Sequence, residues 1–244
     1  MPKEIEAVRK SSDGVLIQFN NTFKEVNEEY WKEVQRSFYT FYFVDNTRKA
    51  IDHQKRLLDG VLKYEPTIKN ILIIGARGSG GLISWLKSKG YVVDGWDLVT
   101  SPDIEFHDLE TDDTPEAYGK YDLIVAFAIF EHLLNDYRAM RQCNKYLKDG
   151  GLILIESPFV CDSNDGKEYH IRGYTPIGLA KMLFYAGFIK FNIHVPHPES
   201  ILVLCEKGKT PIPMFLLYFS LQEKIHKDMV VFDWKTYLTN LNII

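Results

Sequence analysis

Apolar and polar positions follow a regular alternation from residue 70 onward, where short apolar runs are separated by stretches with helical spacing. This alternation predicts a mainly parallel sheet covered by helices on both faces. The predicted strands are Ile71–Ile74, Tyr91–Gly95, Ile104–Phe106, Tyr121–Phe127, Leu152–Glu156, Phe188–Val195 and Ile201–Glu206, and the predicted helices are Ser79–Ser88, Leu133–Leu147 and Pro176–Tyr185.

The first part of the chain has a different pattern. A turn signal before Val15-Leu16-Ile17 favours a hairpin over Glu6–Asn20, and apolar residues between Thr22 and Lys63 recur at helical spacing. We therefore expect a mainly helical extension (1–66), an α/β core (67–209) and an apolar C-terminal segment packed on that core (210–244).

Charge and cysteine content narrow the function classes. The net charge is −4, with 33 acidic against 29 basic residues, so a nucleic-acid partner is not expected. Cys143, Cys161 and Cys205 lie far apart and form no CxxC pair, which argues against a disulfide framework or a zinc site. The polar N-terminus and the absence of a long apolar run predict a cytoplasmic protein without a membrane span.

A glycine-rich turn follows the first predicted core strand. The segment Gly75-Ala76-Arg77-Gly78-Ser79-Gly80-Gly81 precedes a helix, and Asp97 follows Gly75 by 22 positions (97 − 75) at the end of the next strand. Glycines allow close approach of the backbone, the helix N-terminus offers N–H donors, and an acid about 20 residues on can bind ribose hydroxyls. This spacing predicts a site for a nucleotide cofactor.

The turn alone is compatible with two cofactors. Read as Gly75/Gly78/Gly81, it resembles the turn of short-chain dehydrogenases, which bind nicotinamide cofactors. Those enzymes need a tyrosine followed four residues later by a lysine, and this chain contains no Tyr-x-x-x-Lys. The nicotinamide interpretation is therefore the weaker one.

Five ordered features between Asn70 and Lys207 resemble class I S-adenosylmethionine-dependent methyltransferases, especially the small-molecule O-methyltransferase group. The resemblance implies a Rossmann-like, mainly parallel seven-stranded sheet with an antiparallel last strand. The features are the glycine turn with its acid, Asp122–Leu133, Tyr146–Leu154 with Ser157-Pro158, His170–Thr175, and Ala186-Gly187-Phe188 before the last strands ending at Leu204-Cys205-Glu206.

The resemblance also implies roles at individual positions. Asp97 would bind the ribose diol, and Asp108 with the Leu109 backbone would meet the adenine. Phe127 and Ala128 would line the cofactor beside its sulfonium. The turn under the methionine part would comprise Gly75, Ala76, Arg77, Gly78 and Gly80.

Two features of the turn depart from the family pattern. The position two residues before the first glycine, where most members carry an acid that helps hold the cofactor's amino group, is Ile73. The turn is also one residue longer than usual and contains Arg77, whose guanidinium could meet the cofactor's carboxylate or point to solvent.

Transfer to a hydroxyl requires a base, and two histidines lie on loops expected at the ligand-binding edge. His170, in a polar setting, is our first candidate, and His132 is the second because Glu131-His132 could instead cap the following helix. Some family members bind a divalent ion through an acid three residues before such a Glu-His pair. Here that position is Ala128, so we expect no metal.

Two functions of different class remain open from the sequence. The first is an S-adenosylmethionine-dependent methyltransferase acting on a small polar acceptor such as a sugar or glycan hydroxyl, because the loop Cys161–Tyr174 is rich in groups that match hydroxyls. The second is a non-catalytic relative that serves as a binding module.

Overall fold

The computed structural model describes residues 5–11, 14–19, 22–26, 47–76, 80–158, 170–197 and 200–208. Within these ranges the strands form two separate sheets. The strands are β1 (Ile5–Ser11), β2 (Gly14–Phe19), β3 (Thr22–Val26), β4 (Asn70–Ile74), β5 (Val92–Asp97), β6 (Glu105–Phe106), β7 (Tyr121–Phe127), β8 (Leu147–Pro158), β9 (Phe188–His197) and β10 (Ser200–Lys207).

The larger sheet has seven strands in the order β6-β5-β4-β7-β8-β10-β9. Strands β4 to β8 pair in parallel, whereas β10 runs antiparallel to both β8 and β9. The chain order reverses between β4 and β7, which creates the kind of switch point at which α/β sheets bind ligands. The predicted seven-stranded, mainly parallel fold is confirmed.

Helices cover both faces of this sheet. The described α-helices are α1 (Thr47–Tyr64), α2 (Gly80–Ser88), α3 (Asp136–Tyr146) and α4 (Pro176–Tyr185). The Asn135 side chain accepts a hydrogen bond from the Arg138 N–H at the start of α3, and Thr175 does the same for Gly178 before α4. Both caps satisfy donors that a helix start leaves open.

Side chains alternate between two buried layers because successive strand residues point to opposite faces. Ile71, Ile73 and Leu154 pack with Leu58 of α1 and Leu82 of α2. On the opposite face the core is built from side chains of the same strands and of α3 and α4, including Ile74, Ile155, Met140 and Leu183. The position of a strand residue thus determines which helices it faces.

The N-terminal region differs from the helical prediction. The hairpin over β1 and β2 is confirmed, but the expected helix from Thr22 is wrong at its start because Thr22–Val26 forms β3 and pairs antiparallel with β2. Phe23 and Val26 stand three residues apart, a spacing that also suits a helix, so pairing with β2 and not the local pattern determines this strand. The helical prediction is confirmed from Thr47 to Lys63 within α1, whereas residues 27–46 lie outside the described residues.

Two other predictions concern segments at the limits of the described structure. The packing of residues 210–244 on the core lies outside the described residues. Among the helices that are described, none combines the length and the apolar character that crossing a membrane requires.

Leu58 should be the main attachment of α1 to the sheet. Its side chain is fully buried, so Leu58→Ala should lower the free energy of unfolding by about 2–5 kcal/mol through lost burial and the cavity left behind. Urea denaturation followed by circular dichroism measures this change. Tyr64→Ala is the control, because Tyr64 ends the same helix with 74% exposure and should change stability by no more than about 0.5 kcal/mol.

Candidate active site

The carboxyl ends of β4, β7 and β8 meet at one edge of the large sheet. Ile74 pairs with Ala126 and Phe127 pairs with Glu156, so Gly75, Phe127 and Glu156 stand level on neighbouring strands. Parallel strands lie about 4.8 Å apart, which brings the three residues within one ligand's length. This edge is where the sequence predicted its cofactor site.

Gly75 forms the turn at the end of β4. Its φ is +67°, a conformation that favours glycine, and a Cβ there would overlap Cδ1 of Ile129. The N–H groups of Gly75 and Ala76 donate to the carbonyl of Trp96 at 2.9 and 3.1 Å. Arg77 and Gly78 lie outside the described residues, and Gly80 is the first residue of α2.

Asp97 is the last residue of the neighbouring strand β5 and is half-buried. Its Oδ1 accepts a hydrogen bond from the Val99 N–H at 3.1 Å, which holds the carboxylate at the turn after the strand. Its carbonyl accepts from the His107 N–H at 2.9 Å. The acid therefore lies at the same edge as Gly75, as the sequence spacing predicts.

Asp108 and Leu109 follow β6 and are both buried. Oδ1 of Asp108 accepts a hydrogen bond from the Glu110 N–H at 3.0 Å, and Leu109 belongs to the hydrophobic core. The Asp108 carboxylate thus stabilises its own turn. Its predicted contact with adenine stays a prediction.

The turn after β7 carries backbone strain. Ala128 has a φ of +53°, which is unusual for a residue with a Cβ, and its N–H donates to the Glu156 carbonyl at 2.8 Å. Its side chain is exposed, whereas that of Phe127 is buried on the face covered by α1 and α2. Strain of this kind concentrates at ligand sites, and here it lies where the family resemblance places the sulfonium.

Glu131 and His132 lie in a short 3-10 helix after this turn, and both are buried. Oε2 of Glu131 accepts a hydrogen bond from the Ser157 hydroxyl at 3.1 Å, while Oε1 lies 4.0 Å from Nε2 of His132. The suggested capping role of this pair is wrong, because Asn135 caps α3. Glu131 and His132 therefore lie buried beside the strand ends, one turn before the helix that Asn135 caps.

His170 joins this pair from a distant part of the sequence. Its ring lies 4.9 Å from that of His132, centroid to centroid, in an edge-to-face arrangement. The Ile171 N–H donates to the Glu131 carbonyl at 3.1 Å, which fixes the backbone next to His170. The structure thus brings both predicted histidines together at the same edge.

A buried network holds the His170 loop from the other side. The Tyr174 hydroxyl donates to Asp136 Oδ2 at 2.6 Å, and Arg172 forms an ion pair with Asp136 Oδ1 at 2.5 Å. Burial, followed by the negative charge of Asp136, raises the pKa of the Tyr174 phenol well above its ordinary range, so the phenol remains a donor. Arg172 is thus committed to structure and not to an acceptor.

Glu131, His132 and His170 are also a possible set of metal ligands. One ligand atom from each lies within 4.8 Å of the others. Ligands about 2.1 Å from a tetrahedral zinc stand roughly 3.4 Å apart, so this group would have to contract to hold the ion. The expectation that the protein needs no metal therefore stays our prediction.

Three side chains at this edge were missed by sequence reasoning. Nε2 of His53 on α1 lies 3.0 Å from Oε1 of Glu156, and the Ser200 hydroxyl donates to the same oxygen at 3.1 Å. Glu156 carried a usable signal, since it ends an apolar strand just as Asp97 does. No sequence signal pointed to His53, because the residue that it contacts lies 103 positions further along the chain.

Comparison with known proteins places the chain among methyltransferases. A family model described as a methyltransferase domain matches residues 37–202, which is more than half of the chain. Two Mycobacterium tuberculosis proteins, from strains CDC 1551 / Oshkosh and H37Rv and each named a probable S-adenosylmethionine-dependent methyltransferase, are 26% identical over 93 residues. These matches cover 36% of this chain and 34% of each relative.

Solved structures share the fold at low sequence identity. A Burkholderia thailandensis 1,6-didemethyltoxoflavin-N1-methyltransferase, solved with that compound and S-adenosylhomocysteine, has a TM-score of 0.61 and 16% identity over 83% of this chain and 100% of its own. The [4+2]-cyclase SpnF has a TM-score of 0.50 and 13% identity over 63% of this chain and 80% of its own. The fold alone therefore does not determine the reaction.

Tyr174→Phe should loosen the loop that carries His170. The change removes one hydrogen bond from the buried Asp136 carboxylate, so the free energy of unfolding should fall by about 1.5–3 kcal/mol. Tyr185→Phe is the matched control, because that tyrosine is 63% exposed. Equal stabilities of the two variants in urea denaturation would contradict the proposed support of the loop.

Proposed function

Because the chain belongs to the methyltransferase-domain family, we propose that it transfers a methyl group from S-adenosylmethionine to a hydroxyl of a small polar acceptor, such as a sugar or glycan. The observation that carries this proposal is the meeting of Gly75, Asp97 and Ala128 at the carboxyl edge of a class I methyltransferase sheet. S-adenosylmethionine is the cofactor of that fold.

The described residues suit this cofactor in two respects. Gly75 supplies the positive φ that the turn at the end of β4 requires, and the N-terminus of α2 directs N–H groups toward the same turn. Asp97 offers a carboxylate that two adjacent ribose hydroxyls can share. We assign the adenine to Asp108 and Leu109, and the region beside the sulfonium to Phe127 and Ala128.

The chemistry requires little of the protein beyond alignment and a base. When bound, the cofactor supplies a methyl group on a sulfonium that is displaced in line. His170 would receive the proton of the acceptor hydroxyl, and His132 would support it across their ring contact. The buried Glu131 carboxylate, 4.0 Å from His132, stabilises positive charge on this histidine pair.

The comparisons support a small acceptor more than a hydroxyl. The Burkholderia thailandensis enzyme acts on a nitrogen, as its name states. Our choice of a hydroxyl depends on His132 and His170, which lie together beside the edge. A hydroxyl has to lose a proton before or during attack, so it needs a base, whereas a neutral ring nitrogen does not. A nucleic acid acceptor is not expected, because the chain is net acidic.

Asp97→Ala should weaken binding of S-adenosylhomocysteine by about 1.5–3 kcal/mol, because it removes charge-assisted hydrogen bonds to the ribose. Isothermal titration calorimetry measures the change. Asp103→Ala is the control, since Asp103 is an exposed acid that pairs with Lys87 and lies away from the strand end. An unchanged dissociation constant for Asp97→Ala would remove the ribose assignment.

His170→Ala should reduce kcat by roughly 10²–10⁴-fold with the affinity for S-adenosylhomocysteine retained, because the variant lacks only the base. The substrates to screen are free monosaccharides and short glycans, with transfer followed by radiolabelled methyl. His132→Ala is the comparison variant and should give the smaller loss. A larger loss for His132→Ala at normal stability would reverse the two roles, and cofactor binding without transfer to any sugar would favour a binding module.

A further inference from the structure

Helix α1 crosses the carboxyl edge of the sheet at its N-terminal half. A Cβ at Gly81 of α2 would come within 2.9 Å of the Ile51 side chain, so this end of α1 packs beside the glycine turn. Two residues later, His53 reaches Glu156 on β8. Strands β4 and β7 lie between these two contacts, so the start of α1 lies across their ends.

Glu156 introduces a charge on a face that is otherwise apolar. Ile71 and Ile73 of β4 and Val125 and Phe127 of β7 are buried there with α1 and α2. Glu156 stands level with Gly75 and Phe127, and its side chain keeps 20% of its surface exposed. A carboxylate in this position is available to a ligand at the strand ends.

The contact between His53 and Glu156 uses only one of the two polar atoms of each side chain. Nε2 of His53 and the Ser200 hydroxyl both engage Oε1 of Glu156. Among the described residues, neither Oε2 of Glu156 nor Nδ1 of His53 has a hydrogen-bond partner, and the His53 side chain is 41% exposed. The pair therefore presents an anionic acceptor next to a nitrogen that donates when the imidazole is protonated.

We infer that His53 and Glu156 bind the amino-acid end of the cofactor, with Glu156 accepting from its ammonium group and protonated His53 donating to its carboxylate. This assignment rests on the proposed function. An amino acid is a zwitterion, and a carboxylate beside an imidazole matches both of its charges. Ile73 is apolar and buried on this face, so it offers no charge to the ammonium group, whereas Glu156 on the same face does.

The spacing across the sheet agrees with this assignment. Asp97 ends β5 and Glu156 lies near the end of β8, with β4 and β7 between them. Three strand spacings amount to roughly 14 Å. The part of one cofactor molecule from its ribose through its sulfur to its amino-acid group fits between the two carboxylates when a hydrogen bond of about 2.8 Å is added at each end.

The test compares two ligands that differ in the amino-acid group. S-adenosylhomocysteine carries this group and 5′-methylthioadenosine lacks it, while both share the adenosine. Glu156→Gln and His53→Asn should each weaken S-adenosylhomocysteine about 10- to 100-fold in calorimetric titrations and should leave 5′-methylthioadenosine within about 2-fold of the wild type.

A matched control separates binding from the docking of α1. Asp59 on the same helix forms an exposed ion pair with Lys89, so Asp59→Asn also removes a polar contact of α1 with the core and should change the affinity for neither ligand. Equal losses for both ligands in Glu156→Gln would show that the pair only positions the helix, and unchanged binding of S-adenosylhomocysteine would show no contact at all. Both results overturn the inference.

The same titrations distinguish this inference from the proposed function. If the wild type binds both ligands and Asp97→Ala weakens both, the cofactor site stands whatever Glu156→Gln shows. If the wild type binds neither ligand, the proposed function fails and the assignment of His53 and Glu156 fails with it.

Discussion

Parallel pairing of β4, β7 and β8 is the constraint on which the candidate site depends. Their backbone hydrogen bonds fix the register, and a shift of one residue would move every side chain to the opposite face. In the observed register Gly75, Phe127 and Glu156 stand level. Residues far apart in sequence therefore share one edge because of a ladder of main-chain contacts.

The same register forces sharp turns at the strand ends. Gly75 adopts a positive φ at no steric cost, whereas Ala128 adopts one against its preference and is held by the hydrogen bond from its N–H to the Glu156 carbonyl. Next to Ala128 the chain enters the 3-10 helix that buries Glu131 and His132. The strained turn at Ala128 thus connects the predicted cofactor site to the part of the edge where His132 and His170 lie.

Local pattern was enough to predict most of the core. The prediction for β7 was confirmed at both ends, from Tyr121 to Phe127. Gly119 marks the turn before it, whereas Ala128-Ile129-Phe130 continue the apolar run, so its C-terminal end followed from the family resemblance. Helix α4 was also confirmed at both ends, since Thr175-Pro176 is a strong start signal. The helix predicted from Thr22 was wrong at its start, because Phe23 and Val26 keep a helical spacing although this segment forms β3 by pairing with β2.

Residues that act through long-range contacts could be predicted only in part. The strand-end positions of Asp97 and Phe127 follow from spacing, and the structure confirms those positions while their roles stay predictions. Glu131-His132 looked like a helix cap because sequence shows neighbours and not burial. The contact of His53 with Glu156 depends on how α1 packs, and no local pattern encodes that packing.

A crystal structure of the protein with S-adenosylhomocysteine tests the central claim most directly. The account predicts the ribose hydroxyls on Asp97, the ligand passing over Gly75 and beside Ala128, and the sulfur pointing to the side of the edge where His132 and His170 lie. A ligand bound away from the carboxyl ends of β4, β5 and β7, or one whose ribose lies far from Asp97, would contradict it.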